Sequence, residues 1–320
     1  MIHISVLGRL SVCGNTGHYA DIQTKRGEEL LAFLFLEADR SFHRSQIAES
    51  FWPHLPEDRG RKALNTELWR VCRSLEAVGI DVAAAFHRTP SEIGYNRQPD
   101  HLIDVDRLET AMQVINSILP EDAGNAELRQ VRKAIEAYTG DLLESVYSDW
   151  CLLWRESLRA QHIAALEYML KASMVRQEWH NVLTFGRELL ALDPLMENVH
   201  REMMRCHYHN GNRPLALRQY ALCEQLLREE LGVGPMDETQ RIQQTILAVN
   251  PAVPLAQLQK IREGSIPKPL GRRSPAQKVD LALSNINSAR NWLESVSQEL
   301  RAPPSGHTLD QGPGQGPEKL

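Results

Sequence analysis

The 320-residue chain is long enough for two domains, and its 42% hydrophobic and 24% charged residues are ordinary for a globular protein. The formal net charge is −5, which excludes a polycation that holds nucleic acid through its overall charge, so any such contact needs a local basic surface. The five cysteines form no CxxC pair, and the longest apolar run, residues 30–36, is too short to span a bilayer. We therefore expect a cytoplasmic protein that makes no membrane contact.

Short strand patterns begin and end the first hundred residues. Alternating or β-branched apolar residues predict strands in five segments: 2–6, 10–12, 80–82, 86–89 and 93–95. Pro90 and Ser91 separate the last two segments and predict a hairpin turn. We expect this hairpin to carry Arg88 and Arg97 at its tip.

Three helices are expected between these strands. Residues 28–37 are apolar nearly all round, which predicts a buried helix, and residues 44–52 predict a short helix that ends before Pro53. The third helix covers residues 59–75. Strands, three helices and a basic hairpin, in this order, are the layout of a winged helix-turn-helix.

The third helix carries the strongest functional signal. Leu64, Leu68, Val71 and Leu75 recur at helical spacing and predict a core-facing stripe. The rest of the surface is rich in donors suited to phosphates and base edges, although a basic helix face is also typical of plain solvated surface. The predicted DNA-binding residues are Arg61, Lys62, Asn65, Thr66, Trp69, Arg70 and Arg73 on this helix, with Arg88 and Arg97 on the hairpin. Trp69 has two interpretations, contact with a sugar or methyl group and packing beneath the hairpin.

From Asp104 the chain has helical patterns over about 145 residues, a domain-sized length. Two segments within this part share the same spacing of residues, and their starts lie 34 residues apart. They are QEWHNVLTFGRELLALDP at 177–194 and GNRPLALRQYALCEQLLR at 211–228. This is the tetratricopeptide period. The expected fold is therefore mainly α with a small β component, a winged helix-turn-helix DNA-binding domain followed by an all-α tetratricopeptide-like domain.

Beyond Asn250 the composition changes, and several prolines predict a linker. An amphipathic helix follows, with Arg290 interrupting its apolar stripe, and this helix could pack back on the body, dimerise or lie free. The predicted division is a winged-helix domain at 1–103, a helical domain at 104–250, a linker at 251–276, an amphipathic helix at 277–301 and a disordered tail at 302–320.

Longer motifs occur in a fixed order along residues 2–245. The first half contains LLAFLFLEADRSFHRSQIAESFWP, the arginine-bearing third helix, GYN and DVDRL. The second half contains Tyr138 with GDLLES, then DPLMENVHREMM, ALRQY and LREELGVGP. Together these motifs resemble the Streptomyces antibiotic regulatory protein (SARP) family, whose second half is the bacterial transcriptional activator domain.

The resemblance implies an OmpR-type winged helix joined to that helical domain in a sequence-specific transcription factor. Members of the family bind direct repeats near promoters as dimers and recruit RNA polymerase. The implied partners are double-stranded DNA, RNA polymerase, a second copy of the chain, and an effector or protein partner of the helical domain. The chain has no GxxxxGK[ST] motif and so resembles the short members of the family, which have no nucleotide-binding module.

The third helix also departs from the family pattern. The family usually has Asn at the position of Ala63 and Arg at the positions of Asn65 and Cys72, whereas Arg70 and Arg73 match it. The resemblance therefore supports phosphate contacts more strongly than any choice of bases.

The sequence predicts neither an enzyme nor a bound cofactor. The only metal-like grouping is His200, Cys206, His207 and His209. Two of these histidines are two residues apart, which places them on different sides of a helix, so we expect no metal site. No Ser, His and Asp arrangement is found that would serve catalysis.

Two functions follow from these observations. The leading one is a sequence-specific DNA-binding transcriptional activator that acts as a dimer on promoter repeats and contacts RNA polymerase. The alternative is a tetratricopeptide-type interaction adaptor or signalling protein whose winged helix does not bind DNA, and it is motivated by the net negative charge and the altered third helix.

Overall fold

A computed structural model describes residues 1–144 and 146–248. The described residues are mainly helical, with six short strands and eleven helices, and the expected fold class is confirmed. They belong to one compact unit. The linker, amphipathic helix and tail predicted at 251–276, 277–301 and 302–320 lie outside the described residues, as do the last two residues of the predicted helical domain.

The strands are β1 Ile2–Ser5, β2 Ser11–Cys13, β3 Ser41–His43, β4 Phe86–Arg88, β5 Glu92–Tyr95 and β6 His101–Ile103. The helices of the first hundred residues are α1 Lys25–Leu36, α2 Arg44–Phe51, α3 Glu57–Ala77 and the single turn α4 Val82–Ala85. The remaining helices are α5 Val105–Ser117, α6 Asn125–Ala137, α7 Asp149–Val175, α8 Trp179–Leu192, α9 Glu197–His209, α10 Arg213–Leu231 and α11 Asp237–Ala248.

Two three-stranded sheets frame the first three helices. In the first, β1 pairs antiparallel with β2 and parallel with β6, so that Ile4 lies opposite both Val12 and Ile103. In the second, the hairpin of β4 and β5 is extended by β3, in the order β3-β5-β4. Gly94 permits this pairing, because a Cβ atom there would lie 2.2 Å from the Arg40 carbonyl oxygen.

One strand prediction was wrong and two strands were not predicted. Residues 80–82 do not form a strand, because the Asp81 carboxylate accepts hydrogen bonds from the amides of Ala83 and Ala84 and caps the short helix α4. The unpredicted strands β3 and β6 are three residues long, and each depends on a partner distant in sequence.

The core of the winged helix forms where α3 meets α1 and α2. The predicted stripe is confirmed, since Leu64, Leu68, Val71 and Leu75 are all buried. Leu30, Leu31, Leu34 and Phe35 bury the apolar surface of α1 in the same core. The burial of these residues fixes which side of α3 remains exposed.

The winged helix packs directly on the helical part of the chain. Trp150 of α7 meets the ring of Phe33 edge-on at 5.2 Å and stacks on Phe51 at 6.0 Å. Asp104, just before α5, accepts hydrogen bonds from the amides of Val6 and Leu7 at 2.9 and 3.0 Å. These contacts hold α1, α2 and the residues that follow β1 against α7 and the start of α5.

The two copies of the sequence repeat correspond to α8 and α10, which are followed by α9 and α11. Helix α9 packs against both α8 and α10. The close packing of α8 on α9 depends on Gly186, where a Cβ atom would lie 2.9 Å from Met203. Within the residues that the structure describes, no helix is both long and apolar enough to cross a membrane.

Candidate nucleic-acid interface

Burial of its leucine stripe leaves α3 with one broad solvent-facing surface. All seven predicted α3 residues lie outside the core: Arg61 is half-buried, and Lys62, Asn65, Thr66, Trp69, Arg70 and Arg73 are exposed. Thr66 donates its hydroxyl proton to the Lys62 carbonyl at 2.9 Å. The hydroxyl oxygen can therefore only accept a hydrogen bond from a group in solvent. The surface therefore combines cationic donors with a few neutral polar groups.

Glu67 anchors one of the predicted phosphate-binding arginines. Its Oε1 accepts from Arg70 Nη1 at 2.8 Å, and its Oε2 accepts from the Thr24 hydroxyl at 2.6 Å. Thr24 also accepts from the Gly27 amide and caps α1. Glu67 thus links α3 to the start of α1 and restricts the position of the Arg70 guanidinium.

Trp69 and Arg73 form the second feature of this surface. The Arg73 guanidinium carbon lies 5.3 Å from the centroid of the Trp69 ring, in cation–π geometry. Trp69 is 59% exposed and lines a groove of about 590 Å³ between α3 and residues 18–24. The interpretation that Trp69 packs beneath the hairpin is therefore wrong, because its ring faces solvent on another side of α3.

The hairpin of β4 and β5 forms the wing. Its turn is closed by a hydrogen bond from the Thr89 amide to the Glu92 carbonyl at 3.0 Å. Arg88, next to this turn, directs Nη1 to the Cys72 sulfur of α3 at 3.5 Å. Arg88 therefore lies between the wing and α3, close to the other predicted residues.

The placement of Arg97 at the wing tip was wrong. Arg97 follows the other end of β5, where its guanidinium pairs with Asp106 at 2.6 Å and with Asp39 at 3.8 Å. Its backbone amide also donates to Asp39 at 2.8 Å. Because these two carboxylates satisfy its charge, Arg97 has a structural role where β5 leads toward α5.

Arg44 was missed by the sequence analysis, although it joins the wing to α3. Its Nε donates to the Thr89 carbonyl at 2.8 Å and its Nη1 to Asn65 Oδ1 at 2.6 Å. Its amide donates to the Ser91 carbonyl at 2.8 Å. The only sequence signal was a cationic residue at the predicted start of the second helix, which does not identify partners 21 and 45 residues away.

Two further arginines without carboxylate partners, Arg61 and Arg88, lie near enough for their charges to repel that of Arg44, and we call Arg44, Arg61 and Arg88 the arginine cluster. Burial, followed by repulsion from Arg61 and Arg88, lowers the pKa of Arg44. Over the described ranges, no carboxylate lies within 4.0 Å of these three guanidiniums. Like charges brought together without a counter-charge favour the binding of an anion.

The described residues contain no group of three His, Cys, Asp or Glu side chains arranged to hold a metal ion. In the grouping that the sequence singled out, both ring nitrogens of the buried His200 have partners: Nε2 lies 3.0 Å from the Pro194 carbonyl and Nδ1 lies 2.7 Å from Gln219 Nε2. His200 therefore connects α9 to α10 and to the loop before α9.

The second half of the chain is similar to a known domain family. The model of the bacterial transcriptional activator domain matches residues 103–247. Over 226 residues the chain is 24% identical to the regulatory protein AfsR of Streptomyces coelicolor, a match that covers 70% of this chain and 22% of AfsR. Over 262 residues it is 23% identical to the regulatory protein DnrI of Streptomyces peucetius, covering 79% of this chain and 94% of DnrI.

A third relative and a solved structure extend this result. The transcriptional regulatory protein MoaR1 of Mycobacterium bovis is 21% identical over 251 residues, which cover 77% of this chain and 79% of MoaR1. The structure of Mycobacterium tuberculosis EmbR in complex with a low-affinity phosphopeptide superposes with a TM-score of 0.63 and 16% identity, covering 82% of this chain and 69% of EmbR. The EmbR likeness supports the fold, and the curated relatives confirm the resemblance to the SARP family.

Proposed function

We propose that this chain is a SARP-type regulator that binds duplex DNA sequence-specifically and activates transcription. The observation that carries the proposal is the arginine cluster, where three unpaired guanidiniums lie beside the exposed donors of α3. In this binding mode α3 enters the major groove, and the wing contacts the adjacent backbone.

The contacts divide by chemistry. Arg61, Arg70, Arg73 and Arg88 would bind phosphates, since guanidinium groups suit bidentate contact with these oxygens. Lys62, Asn65 and Thr66, nearer the start of α3, would face base edges, and Trp69 would contact a sugar or thymine methyl group. Arg70 has one carboxylate partner, Glu67, and stays in this set, whereas Arg97 is left out because two carboxylates, Asp39 and Asp106, pair with it.

The partners of the proposed function are promoter DNA, a second copy of the chain on adjacent repeats, and RNA polymerase. The similarity to AfsR, DnrI and MoaR1, all named as regulatory proteins, supports a role in regulation, and the second copy and RNA polymerase are what the resemblance to the SARP family implies. The helical domain would then contact the polymerase, an effector or another protein.

Binding to duplexes selected from random DNA tests the proposal, measured by fluorescence anisotropy at several salt concentrations. Replacing Arg70 and Arg73 together by Ala should raise the dissociation constant by 1 to 3 orders of magnitude and flatten the salt dependence, because each phosphate contact releases condensed counterions. Arg129→Ala, which removes an exposed arginine of α6, is the matched control and should bind normally.

The outcome also separates the proposal from the adaptor alternative. A wild-type protein that selects no duplex at low salt overturns the DNA-binding function and favours the adaptor. Unchanged affinity in the double variant would instead remove Arg70 and Arg73 from the interface.

A further inference from the structure

The amide of Asn65 is held in one orientation by Arg44. A guanidinium has only donors, so the atom that Arg44 Nη1 meets at 2.6 Å is the carbonyl oxygen of Asn65. The same guanidinium is fixed from behind by its bond to the Thr89 carbonyl of the wing. The direction of the Asn65 carbonyl is therefore set by the junction of wing and α3.

The amino group of Asn65 is the part left for a ligand. Within the described part of the chain, Nδ2 makes no hydrogen bond, and Asn65 is exposed on α3. Because the amide is planar, the amino group lies in the same plane as the carbonyl oxygen, and it points away from Arg44 when the carbonyl points toward it. Asn65 then offers two donor protons to solvent.

This orientation conflicts with the usual pairing of Asn with adenine. Adenine presents an acceptor, N7, and a donor, the N6 amino group, and a bidentate Asn must direct its carbonyl oxygen at the latter, whereas the Asn65 carbonyl is directed at Arg44. Guanine presents two acceptors, N7 and O6, which match two donor protons. The positive charge of the arginine cluster favours the same choice, since it attracts acceptor atoms and repels an amino group.

We propose that Arg44 fixes Asn65 as a donor-only reader of the major groove, so that Asn65 selects guanine over adenine at the base it meets. Arg44 is a specificity-determining residue here although it need not touch the base. The inference rests on the proposed DNA-binding function.

The test begins with duplexes selected by the wild-type protein, in which each position is then replaced in turn. At one position the wild type should prefer guanine over adenine by about tenfold, and Asn65→Ala should lose this preference only there. A 7-deazaguanine at that position, which lacks the N7 acceptor, should weaken wild-type binding several-fold and leave Asn65→Ala unaffected.

The Arg44→Met variant tests the orienting bond. Methionine keeps an apolar stem but has no donor, so the Asn65 amide becomes free to rotate, and the guanine-to-adenine preference should fall toward one or reverse. This ratio is measured within one variant, so a general loss of affinity does not obscure it, and far-UV circular dichroism verifies the fold. Arg129→Ala should retain the wild-type ratio.

The possible failures are distinct. If the wild type selects no duplex, both the proposed function and this inference are overturned. If the wild type binds a defined site while Asn65→Ala keeps every base preference, or Arg44→Met keeps the guanine preference, only this inference is overturned.

Discussion

Two groups of arginines, one in each half of the molecule, have opposite surroundings. On the surface of the winged helix, the arginine cluster brings three guanidiniums together without a carboxylate within 4.0 Å over the described ranges. In the helical half, Arg201 is only 14% exposed and lies 3.8 Å from Glu197 and 3.4 Å from Glu238. Arg205 is likewise paired, with Glu202 and Glu238.

The difference shows which arginines stabilise the fold and which are available to a ligand. A half-buried cation with carboxylate partners contributes to the stability of the fold. If one partner is removed, the remaining charge is left unpaired where water hydrates it poorly. A cation near other cations and without a carboxylate partner is repelled by them, and this repulsion raises the free energy of the unliganded protein. The following predictions test this division, from the largest expected effect to the smallest.

Replacing Glu197 should have the largest effect on stability. Its carboxylate is 11% exposed, accepts from the Met236 amide at 2.7 Å and from the Thr239 hydroxyl, and faces Arg201. Glu197→Ala leaves all three without this acceptor, so the free energy of unfolding should fall by about 3 kcal/mol. Urea denaturation measures this change in the free energy of unfolding. Glu238→Ala, which removes a carboxylate 54% exposed, is the matched control and should cost about 1 kcal/mol or less.

The buried imidazole of His162 should make the stability of the fold depend on pH. His162 stacks on Tyr138 at 4.1 Å, and burial lowers its pKa to about 4, against the partly opposing charge of Asp141. Below a pH of about 6.5 the unfolded chain binds a proton at His162 that the folded protein does not accept until about pH 4. Stability should therefore fall as pH decreases across this window, by up to about 3 kcal/mol from this residue.

His162→Phe keeps a ring against Tyr138 and removes the titrating group. Its denaturation midpoints should decline less than those of the wild type between pH 6.5 and pH 4. Other buried histidines, His101 and His200, also have lowered pKa values, so the comparison is the difference between the two proteins. Parallel pH profiles of the two proteins would contradict this prediction, because they would show that folding does not lower the pKa of His162.

Substitutions in the arginine cluster should reduce DNA affinity without reducing the stability of the fold. Replacing Arg61 and Arg88 by Ala removes two unpaired cations, so DNA affinity should fall by about 2 kcal/mol and the salt slope by about 2. The free energy of unfolding should stay the same or rise slightly, because repulsion on Arg44 is relieved. A variant that loses stability in proportion to its affinity would show that these arginines serve the fold.

Local patterns predicted much of this architecture. The leucine stripe of α3 and the order of strands, helices and hairpin follow from spacing that a single segment contains, and the structure has both. The wrong strand at 80–82 has a local cause, the cap by Asp81, but the two unpredicted strands depend on partners distant in sequence. Strand β6 forms because β1, about a hundred residues earlier, pairs with it in parallel, and nothing within His101–Ile103 indicates that partner.

The candidate site shows the same limit at the level of single residues. Arg88 and Arg97 look alike in the sequence, because the strand pattern places both at the tip of the predicted hairpin. Only the fold shows that Asp39 and Asp106 reach Arg97, and that Arg44 reaches Asn65. Which charges are neutralised depends on contacts between elements, and those contacts are not encoded in periodicity.

Arg97→Ala gives the smallest effect and the sharpest comparison with Arg88→Ala. The Arg97 side chain is 37% exposed, and its ion pairs with Asp39 and Asp106 are partly screened by solvent, so its loss should cost about 1 kcal/mol of stability or less. Its DNA affinity and salt slope should match the wild type, whereas Arg88→Ala should lower the slope by about 1. Equal loss of DNA affinity in the two variants would contradict the division, because a cation already paired with two carboxylates would then be acting as a phosphate ligand.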